Sequence, residues 1–415
     1  MVIGMIVEKT QAKTLVRKSK IDDWWWSEAS LNPYQGCFHN CVYCDGKAES
    51  YFIHEDFGTR IKAKVNAPSL LEKFLDKEGF IATNRKKAPT LMEYFPNYKL
   101  NISQPSKYIF AVGGGVTDVY QPAEREVKLT RRLLSIFLDY NIPVQLLTKN
   151  VNVLRDLDLL IQIKELSYAN VGFSITLVDE KTQKIFEPRA SSTEARFEAL
   201  RKIREAGIHG GVIFMPILPL IGDTIDNMRE MFYWAKEVGA EYVLPAGLTL
   251  KPGRNKKEFM KVIESTFPEN LEVYSQLYGN NDKYGTLDSK KFEELELTSP
   301  YLLGFDLSKK TGIPCRMPRY IPDGRIRPNI QVSTLLFRIA VMKSILSSFK
   351  EKVYPIKKSA YLIEQFKSNI QDLSVEELSS FSSDKKTRLI IQDLVQTGSS
   401  NYLNSINQDK NVFYN

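Results

Sequence analysis

The chain has 415 residues, of which 43% are hydrophobic and 26% charged, and its formal net charge is +8. This composition is typical of a globular protein and excludes a disordered or fibrous chain. No apolar run reaches the ~20 residues that a membrane helix needs, and the short apolar start at residues 1–7 lacks the pattern of a signal peptide. We therefore expect a cytoplasmic protein with no membrane contact, and its mild positive charge fits either solubility or a polyanionic partner.

Apolar runs rich in β-forming residues alternate with helical patterns between residues 30 and 250. The patterns predict strands at 30–34, 107–113, 143–148, 169–177, 211–217 and 241–248, and helices at 124–140, 151–163, 194–206 and 224–238. Ser191 and Glu194 predict a capping box for the third of these helices. Six strands separated by single helices predict either a partial (β/α)6 barrel or a doubly wound sheet. In both folds the ligand site lies at the carboxyl ends of the strands.

The sequence divides into four segments. We predict an N-terminal segment at 1–29, an α/β unit at 30–250, a barrel-completing, substrate-side segment at 251–329 and a helical C-terminal extension at 330–415. Ser374 and Glu377 predict a capping box within the extension. The polar tail from Gly398 is predicted to be mobile.

Three of the four cysteines, Cys37, Cys41 and Cys44, lie in one loop with the sequence LNPYQGCFHNCVYCDG. So few and so clustered cysteines exclude the disulfide scaffold of a small secreted protein. The spacing C-x3-C-x2-C allows one loop to wrap a [4Fe-4S] cluster and to leave the fourth iron open. The alternative is a zinc site with His39 or Cys315 as the fourth ligand, but zinc loops usually come as paired C-x2-C units. We expect Cys315 to be a buried, inert thiol.

This loop, with its aromatic residue before the last cysteine, resembles the signature of the radical S-adenosylmethionine superfamily. The longer string N-P-Y-x-G-C-x-H-x-C-x-Y-C resembles the spore photoproduct lyase-like branch, whose members are often described as DNA repair photolyases. Later segments follow in the order of that branch: TDVYQPAE at 117–124, TKN at 148–150, SIT at 174–176, EPRA at 187–190 and PILP at 216–219. The resemblance covers residues 30–330. It implies an α/β fold with a partial (β/α)6 barrel of radical SAM type and a mostly helical C-terminal extension.

The resemblance also implies an enzyme that reductively cleaves S-adenosylmethionine at a [4Fe-4S] cluster and makes a 5′-deoxyadenosyl radical. Cys37, Cys41 and Cys44 would hold the cluster, and a flavodoxin or ferredoxin would supply the electron. The residues expected around S-adenosylmethionine are Tyr43, Gly113, Gly114, Gly115, Thr117, Lys149, Ser174, Glu187 and Arg189.

The resemblance gives most of these residues a role, and the residues alone leave alternatives. The glycine turn would bind the methionyl amino group, Lys149 the methionyl carboxylate, and Ser174 the ribose or the carboxylate. A plain turn, a solvated lysine and an inward-facing strand serine are the respective alternatives. Glu187, Arg189 and Arg196 form either a carboxylate-binding fork or a structural salt bridge. His39 is expected to orient the loop by hydrogen bonding.

The substrate is not fixed by any motif. The tryptophans at 24–26 and the arginines at 316–327 together suit base stacking and phosphate contacts in DNA or RNA. The alternative is that the tryptophans cover the cluster and the arginines lie on a surface loop. Gly115 occupies the position where the spore lyase has a hydrogen-donating cysteine, which argues against the spore lesion as substrate. A non-enzymatic iron–sulfur or zinc protein that binds nucleic acid is the alternative function.

Overall fold

The computed structural model describes residues 4–21, 24–82, 108–114, 116–280, 282–322, 324–346 and 353–400. The strands are Ile6–Thr10 (β1), Val16–Lys18 (β2), Ala29–Leu31 (β3), Tyr34–Gln35 (β4), Arg60–Lys64 (β5), Phe110–Val112 (β6), Val144–Thr148 (β7), Ala169–Ser174 (β8), His209–Ile217 (β9) and Val243–Gly247 (β10). Most of the tail predicted beyond Gly398 lies outside the described residues.

The α-helices are Ala67–Lys77 (α1), Glu124–Val127 (α2), Leu129–Asp139 (α3), Leu157–Leu166 (α4), Glu180–Phe186 (α5), Thr193–Glu205 (α6), Ile225–Glu237 (α7), Arg254–Thr266 (α8), Leu271–Tyr278 (α9), Ser289–Glu294 (α10), Pro300–Thr311 (α11), Arg327–Leu346 (α12), Tyr354–Gln365 (α13), Val375–Ser379 (α14) and Lys385–Thr397 (α15). Short 3-10 helices lie at Asp45–Lys47, Glu49–Tyr51, Val151–Asp156, Pro268–Asn270 and Ile370–Asp372. Within these described residues, no helix is both long enough and apolar enough to cross a membrane.

The main sheet of the described chain has the strand order β10-β9-β8-β7-β6-β3-β2. The strands from β10 to β3 run parallel, and β2 pairs antiparallel with β3 at one edge. A smaller sheet joins β1, β5 and β4, and β4 leads directly into the cysteine loop. The predicted α/β class, with six parallel strands and helical connections, is therefore confirmed.

The two faces of the main sheet pack against different helices because successive strand residues point to opposite sides. The outer face packs against the helices that connect the strands. That core contains Val144, Leu146, Val171 and Phe173 from the strands and Leu133, Leu160, Leu200 and Met231 from α3, α4, α6 and α7. This helical layer is the one predicted for repeated βαβ units.

The inner face of the sheet is covered by the C-terminal helices. Ile213, Tyr242 and Leu244 form one buried cluster with Phe337 of α12 and Ile363 of α13. The helical character predicted beyond residue 330 is therefore present, and the capping box of Ser374 and Glu377 is confirmed at the start of α14. The extension covers the inner side of the sheet.

Two local predictions are wrong. Ser192, not Ser191, caps α6 by accepting a hydrogen bond from the backbone N–H of Ala195, whereas the Ser191 hydroxyl accepts one from the N–H of Val151. The single helix predicted at 124–140 is two helices, because Lys128 takes a left-handed conformation with φ of 55°. The buried Glu124 carboxylate accepts the backbone N–H of Thr130 at 3.0 Å beyond this break.

Candidate functional site

The cysteine loop begins with a sharp turn at Gly36. Its φ is +82°, and a side chain there would place a Cβ 2.7 Å from the carbonyl oxygen of Arg60, so only glycine fits. Cys37 then donates its backbone N–H to the carbonyl of Phe57 at 3.0 Å. The N–H of Val42 bonds the carbonyl of Phe186 at 2.8 Å, which anchors the other half of the loop.

The segment 117–124 follows β6, and its polar side chains clamp the cysteine loop. Thr117 donates its hydroxyl to the Gly36 carbonyl at 2.7 Å, and the Gln121 amide bonds the same carbonyl at 3.0 Å. Gln121 also accepts the backbone N–H of Phe38 at 2.9 Å. Glu124 accepts the hydroxyl of Tyr34 just before the loop. The sequence marks this segment only through the family resemblance, since its role depends on contacts across about 80 residues.

Asp118 ties the loop to the end of β7. Its carboxylate accepts hydrogen bonds from the Thr148 hydroxyl at 2.8 Å and from the Lys149 backbone N–H at 2.7 Å. The same carboxylate lies 3.4 Å from His39 Nδ1. Asp118 and Thr148 lie in the TDVYQPAE and TKN segments at the ends of predicted strands. The sequence gives neither a role, because a lone aspartate or threonine at a strand end carries no distinctive spacing.

The protonation state of His39 follows from its neighbours. Burial lowers the pKa of His39, so the imidazole is neutral at pH 7. Asn150 uses its Oδ1 to accept the N–H of Asn152, which turns its amide nitrogen toward His39 Nε2 at 3.2 Å. Nε2 therefore accepts, which leaves the proton on Nδ1. Nδ1 lies 3.4 Å from Asp118 without hydrogen-bond geometry. The predicted loop-orienting role of His39 fits this geometry.

One cavity of about 250 Å³ lies beside the loop, at the carboxyl ends of the parallel strands. Cys37, Cys41 and Cys44 all line it, and all are free thiols. Burial raises the pKa of all three thiols, to about 12 for Cys41. In the part of the chain that the structure describes, no three His, Cys, Asp or Glu side chains converge closely enough to share one metal ion.

The wall of the cavity also carries a positioned cation. Lys149 Nζ donates to Ser174 Oγ at 2.5 Å and lies 3.2 Å from a carboxylate oxygen of Glu187. Ser174 in turn donates to the carbonyl of Met215 at 3.0 Å. Lys149 and Ser174 both line the cavity, so this wall presents an ammonium group that is fixed but 14% exposed.

Glu187 is completely buried behind that wall. It accepts a hydrogen bond from Arg196 Nη2 at 2.6 Å and another from the Tyr43 hydroxyl. Burial alone would raise the pKa of Glu187, but the charges of Arg196 and Lys149 outweigh it and hold the pKa well below its usual value. Of the two roles considered for Glu187, a carboxylate-binding fork or a structural salt bridge, the structure shows the salt bridge, with Arg196 as the partner.

The predicted site residues fall into two groups. Those that line the cavity are Cys37, Cys41, Tyr43, Cys44, Gly114, Thr117, Lys149 and Ser174. Gly113, Glu187 and Arg189 do not line it, and Gly115 lies outside the described residues. Arg189 is exposed, bonds the carbonyl of Gly58 at 2.8 Å and stacks on Phe38, so the expected carboxylate fork is not formed by this arginine. The buried partner of Glu187 is Arg196.

The tryptophans and arginines expected near the substrate or the cluster lie elsewhere. Trp26 is buried, donates its ring N–H to the Met317 carbonyl at 3.0 Å and packs against Phe337 of α12. Arg319 lies over the Trp26 ring at 4.7 Å and Arg316 over the Trp24 ring at 5.3 Å. These side chains join the C-terminal helices to the sheet. The prediction that the tryptophans cover the cluster is therefore wrong, and so is the prediction that these arginines lie on a surface loop.

Cys315 also lies apart from the cavity. Its thiol is buried and donates to the carbonyl of Gly304 in α11 at 3.2 Å, and it does not line the cavity. The expected buried thiol is therefore observed. The alternative zinc site with Cys315 as the fourth ligand has no support in this geometry.

Residues 31–235 match the family model of the radical SAM superfamily. The chain carries a radical SAM domain. A domain of this superfamily implies an enzyme that uses a [4Fe-4S] cluster, S-adenosylmethionine and an external electron donor. The matched range contains the cysteine loop and all the residues of the cavity wall described above, from Gly114 to Ser174.

Similar proteins have been found in archaea and bacteria. An uncharacterised protein of Methanocaldococcus jannaschii is 28% identical over 268 residues, which cover 64% of this chain and 86% of that protein. An uncharacterised protein of Mycobacterium tuberculosis is 24% identical over 253 residues, covering 60% and 66% of the two chains. Among solved structures, spore photoproduct lyase complexed with dinucleoside spore photoproduct aligns over 74% of this chain and 81% of its own, with 17% identity and a TM-score of 0.48.

Proposed function

We propose that this chain is a radical SAM enzyme that holds a [4Fe-4S] cluster on Cys37, Cys41 and Cys44 and binds S-adenosylmethionine beside it. The observation that carries the proposal is the shared cavity. The three thiols and the fixed ammonium of Lys149 line the same cavity.

The donor set fits an iron–sulfur cluster. Thiolates are the ligands that such clusters take, and each of the three thiolates would bind a different iron, so they need only surround one cavity. Because burial raises the pKa of Cys37, Cys41 and Cys44, their thiolate forms need a positively charged partner. When bound, the cluster would supply the electron that cleaves S-adenosylmethionine into methionine and a 5′-deoxyadenosyl radical.

The chain's own residues would position the cofactor. Lys149 would bind the methionyl carboxylate, since Ser174 and Glu187 hold its ammonium in a fixed direction. The backbone turn at Gly114, with φ of +91°, would approach the methionyl amino group closely. Tyr43 would support the adenine through its backbone, because its hydroxyl is occupied by Glu187.

The substrate class and the electron donor follow from the family resemblance and not from the cavity. A flavodoxin or ferredoxin would deliver the electron, and DNA or RNA is the substrate class that the motif resemblance favours. The described arginines after the barrel give little support to nucleic acid, since Arg316, Arg319 and Arg325 are buried or paired. Arg327 is the exposed member of that set.

The test is anaerobic reconstitution with iron and sulfide, followed by reduction in the presence of S-adenosylmethionine. We expect about four irons per chain and the release of methionine and 5′-deoxyadenosine. Cys41→Ala should lose both the iron and the cleavage, whereas Cys315→Ala, the matched control outside the cavity, should retain both. Stoichiometric zinc without iron, or a loaded cluster that cleaves no S-adenosylmethionine, would contradict the proposal.

A further inference from the structure

A second cavity lies among the C-terminal helices and shares no lining residue with the cofactor cavity. Its volume is about 380 Å³, a size typical of sites for small organic ligands. Its walls come from three separate stretches of the chain. These are residues 319–338, the 3-10 helix at 370–372 and the end of α15 at 394–398. The proposed cofactor chemistry uses none of them.

The polar part of the wall carries positive charge. Gln331, Thr334 and Arg338 recur at the three- and four-residue spacing of one face of α12. Arg319 and Gln371 complete the polar lining. Among the described residues that line the cavity there is no aspartate or glutamate, so the ionised groups on its wall are two guanidinium groups.

Arg319 is held firmly beside the cavity. Its side chain is 5% exposed, and Nη1 donates to Thr334 Oγ1 at 3.0 Å while Nη2 pairs with Glu364. Nε is also buried, but it has no hydrogen-bond partner among the described residues. A buried donor without a partner costs free energy, so an acceptor placed in the cavity would stabilise this side chain.

The charge of Arg319 is only partly balanced. Glu364 also accepts the Ser333 hydroxyl at 2.9 Å and lies 4.0 Å from Arg325 Nη1, so its one negative charge serves several donors. Burial lowers the pKa of Arg319 in spite of this carboxylate. A second negative charge beside the guanidinium would therefore be favourable.

The rest of the wall is largely apolar. Val332 and Leu335 of α12 and Leu394 and Val395 of α15 line it. Val332 and Leu394 belong to the buried cluster that joins the C-terminal helices to the sheet. An inorganic ion would leave this apolar surface uncovered, whereas an apolar group would bury it.

We propose that this cavity is a second binding site, which takes a small organic acid. Its carboxylate would lie beside Arg319 and Arg338, and its apolar body against Val332 and Leu394. Guanidinium groups form charge-assisted hydrogen bonds with carboxylates, and the mixture of apolar walls and a few polar groups is typical of ligand sites. The inference does not depend on the cofactor chemistry, since no residue lines both cavities.

The first experiment is isothermal titration of the reconstituted full-length protein with 3-phenylpropionate. Two matched probes each lack one feature: 3-phenylpropanamide has no charge, and inorganic phosphate has no apolar body. We expect 3-phenylpropionate to bind and to raise the denaturation midpoint, and each matched probe to bind at least about tenfold more weakly. No binding of 3-phenylpropionate, or equal binding of either matched probe, would overturn the proposal.

The second experiment locates the binding with variants. Arg338→Gln removes one guanidinium and should weaken 3-phenylpropionate about tenfold. Gln331→Glu adds a like charge at an exposed position that lines the cavity, and it should also weaken binding. A carboxylate is tolerated in the first turns of a helix, so Gln331→Glu keeps the test decisive even if Arg338→Gln does not fold.

The matched control is Arg229→Gln, which removes an arginine from the surface of α7. It should bind 3-phenylpropionate as wild type does. Unchanged binding in a folded Arg338→Gln or in Gln331→Glu would refute the assignment of this cavity. An equal weakening in Arg229→Gln would refute it as well, because it would show a general effect of net charge.

Discussion

Replacing Glu187 by glutamine removes the anion that Arg196 and Lys149 share behind the cavity wall. Arg196 is completely buried, so the substitution leaves its guanidinium without a counter-charge. Removal of one partner from a buried ion pair typically costs about 3–5 kcal/mol, because the remaining charge stays desolvated. We therefore expect Glu187→Gln to lower the free energy of unfolding by about that amount at pH 7.

The measurement is equilibrium urea denaturation followed by circular dichroism, with Asp226→Asn as the matched control. Asp226 pairs with Arg229 on the surface of α7, with side chains 79% and 52% exposed, so its loss should cost less than about 1 kcal/mol. Because the pKa of Glu187 lies below its usual value, the stabilisation is present above about pH 4.5 and is lost as the pH falls further. Equal losses in the two variants at pH 7 would refute the reasoning.

Three further outcomes follow from other residues. Burial raises the pKa of Asp223 from 3.8 to about 6, so the free energy of unfolding should fall as the pH rises through this window. Above pH 6, the free energy of unfolding of Asp223→Asn should exceed that of wild type by at most ~3 kcal/mol. Arg325 pairs with Glu28 near the start of β3, so Arg325→Ala should lower the denaturation midpoint, whereas Arg327→Ala should not. If this segment binds nucleic acid, binding titrations at several salt concentrations should show a flatter salt dependence for Arg327→Ala alone. Cys315 lies outside the cavity, so once a substrate is known, Cys315→Ala should leave the ratio of 5′-deoxyadenosine to product unchanged, and a changed ratio would place its thiol in the reaction.

Local patterns predicted much of the fold. The strands and helices predicted between residues 143 and 248 are present, because each combines an apolar run with a cap or turn. The helix predicted at 151–163 begins as the 3-10 helix Val151–Asp156, and the short helix α5 was not predicted. The cysteine loop was equally readable, since its chemistry depends on spacing within eight residues. The Lys149–Ser174 wall was found through the motif resemblance, and the structure joins the two side chains directly.

Other parts of the site depend on distant contacts that no local pattern contains. Asp118 lies between His39, which is 79 positions earlier in the chain, and Thr148 at the end of β7, which is 30 positions later. In the EPRA segment, the expectation for Arg189 was wrong because the direction of each side chain depends on the turn before α6. The burial of Trp26 against α12 could not be predicted from the sequence either, since consecutive aromatic residues occur both on surfaces and in cores.

The bond between the Trp26 ring and the Met317 carbonyl joins residues 291 positions apart. At a synthesis rate of 5–20 residues per second, about 15 to 60 s separate the appearance of these two residues. During that interval the inner face of the sheet lacks the helices that later cover it, and the three loop cysteines have already been made. A nascent chain therefore exposes the apolar inner face of its sheet, including Ile213 and Tyr242, until the C-terminal helices that cover it have been made.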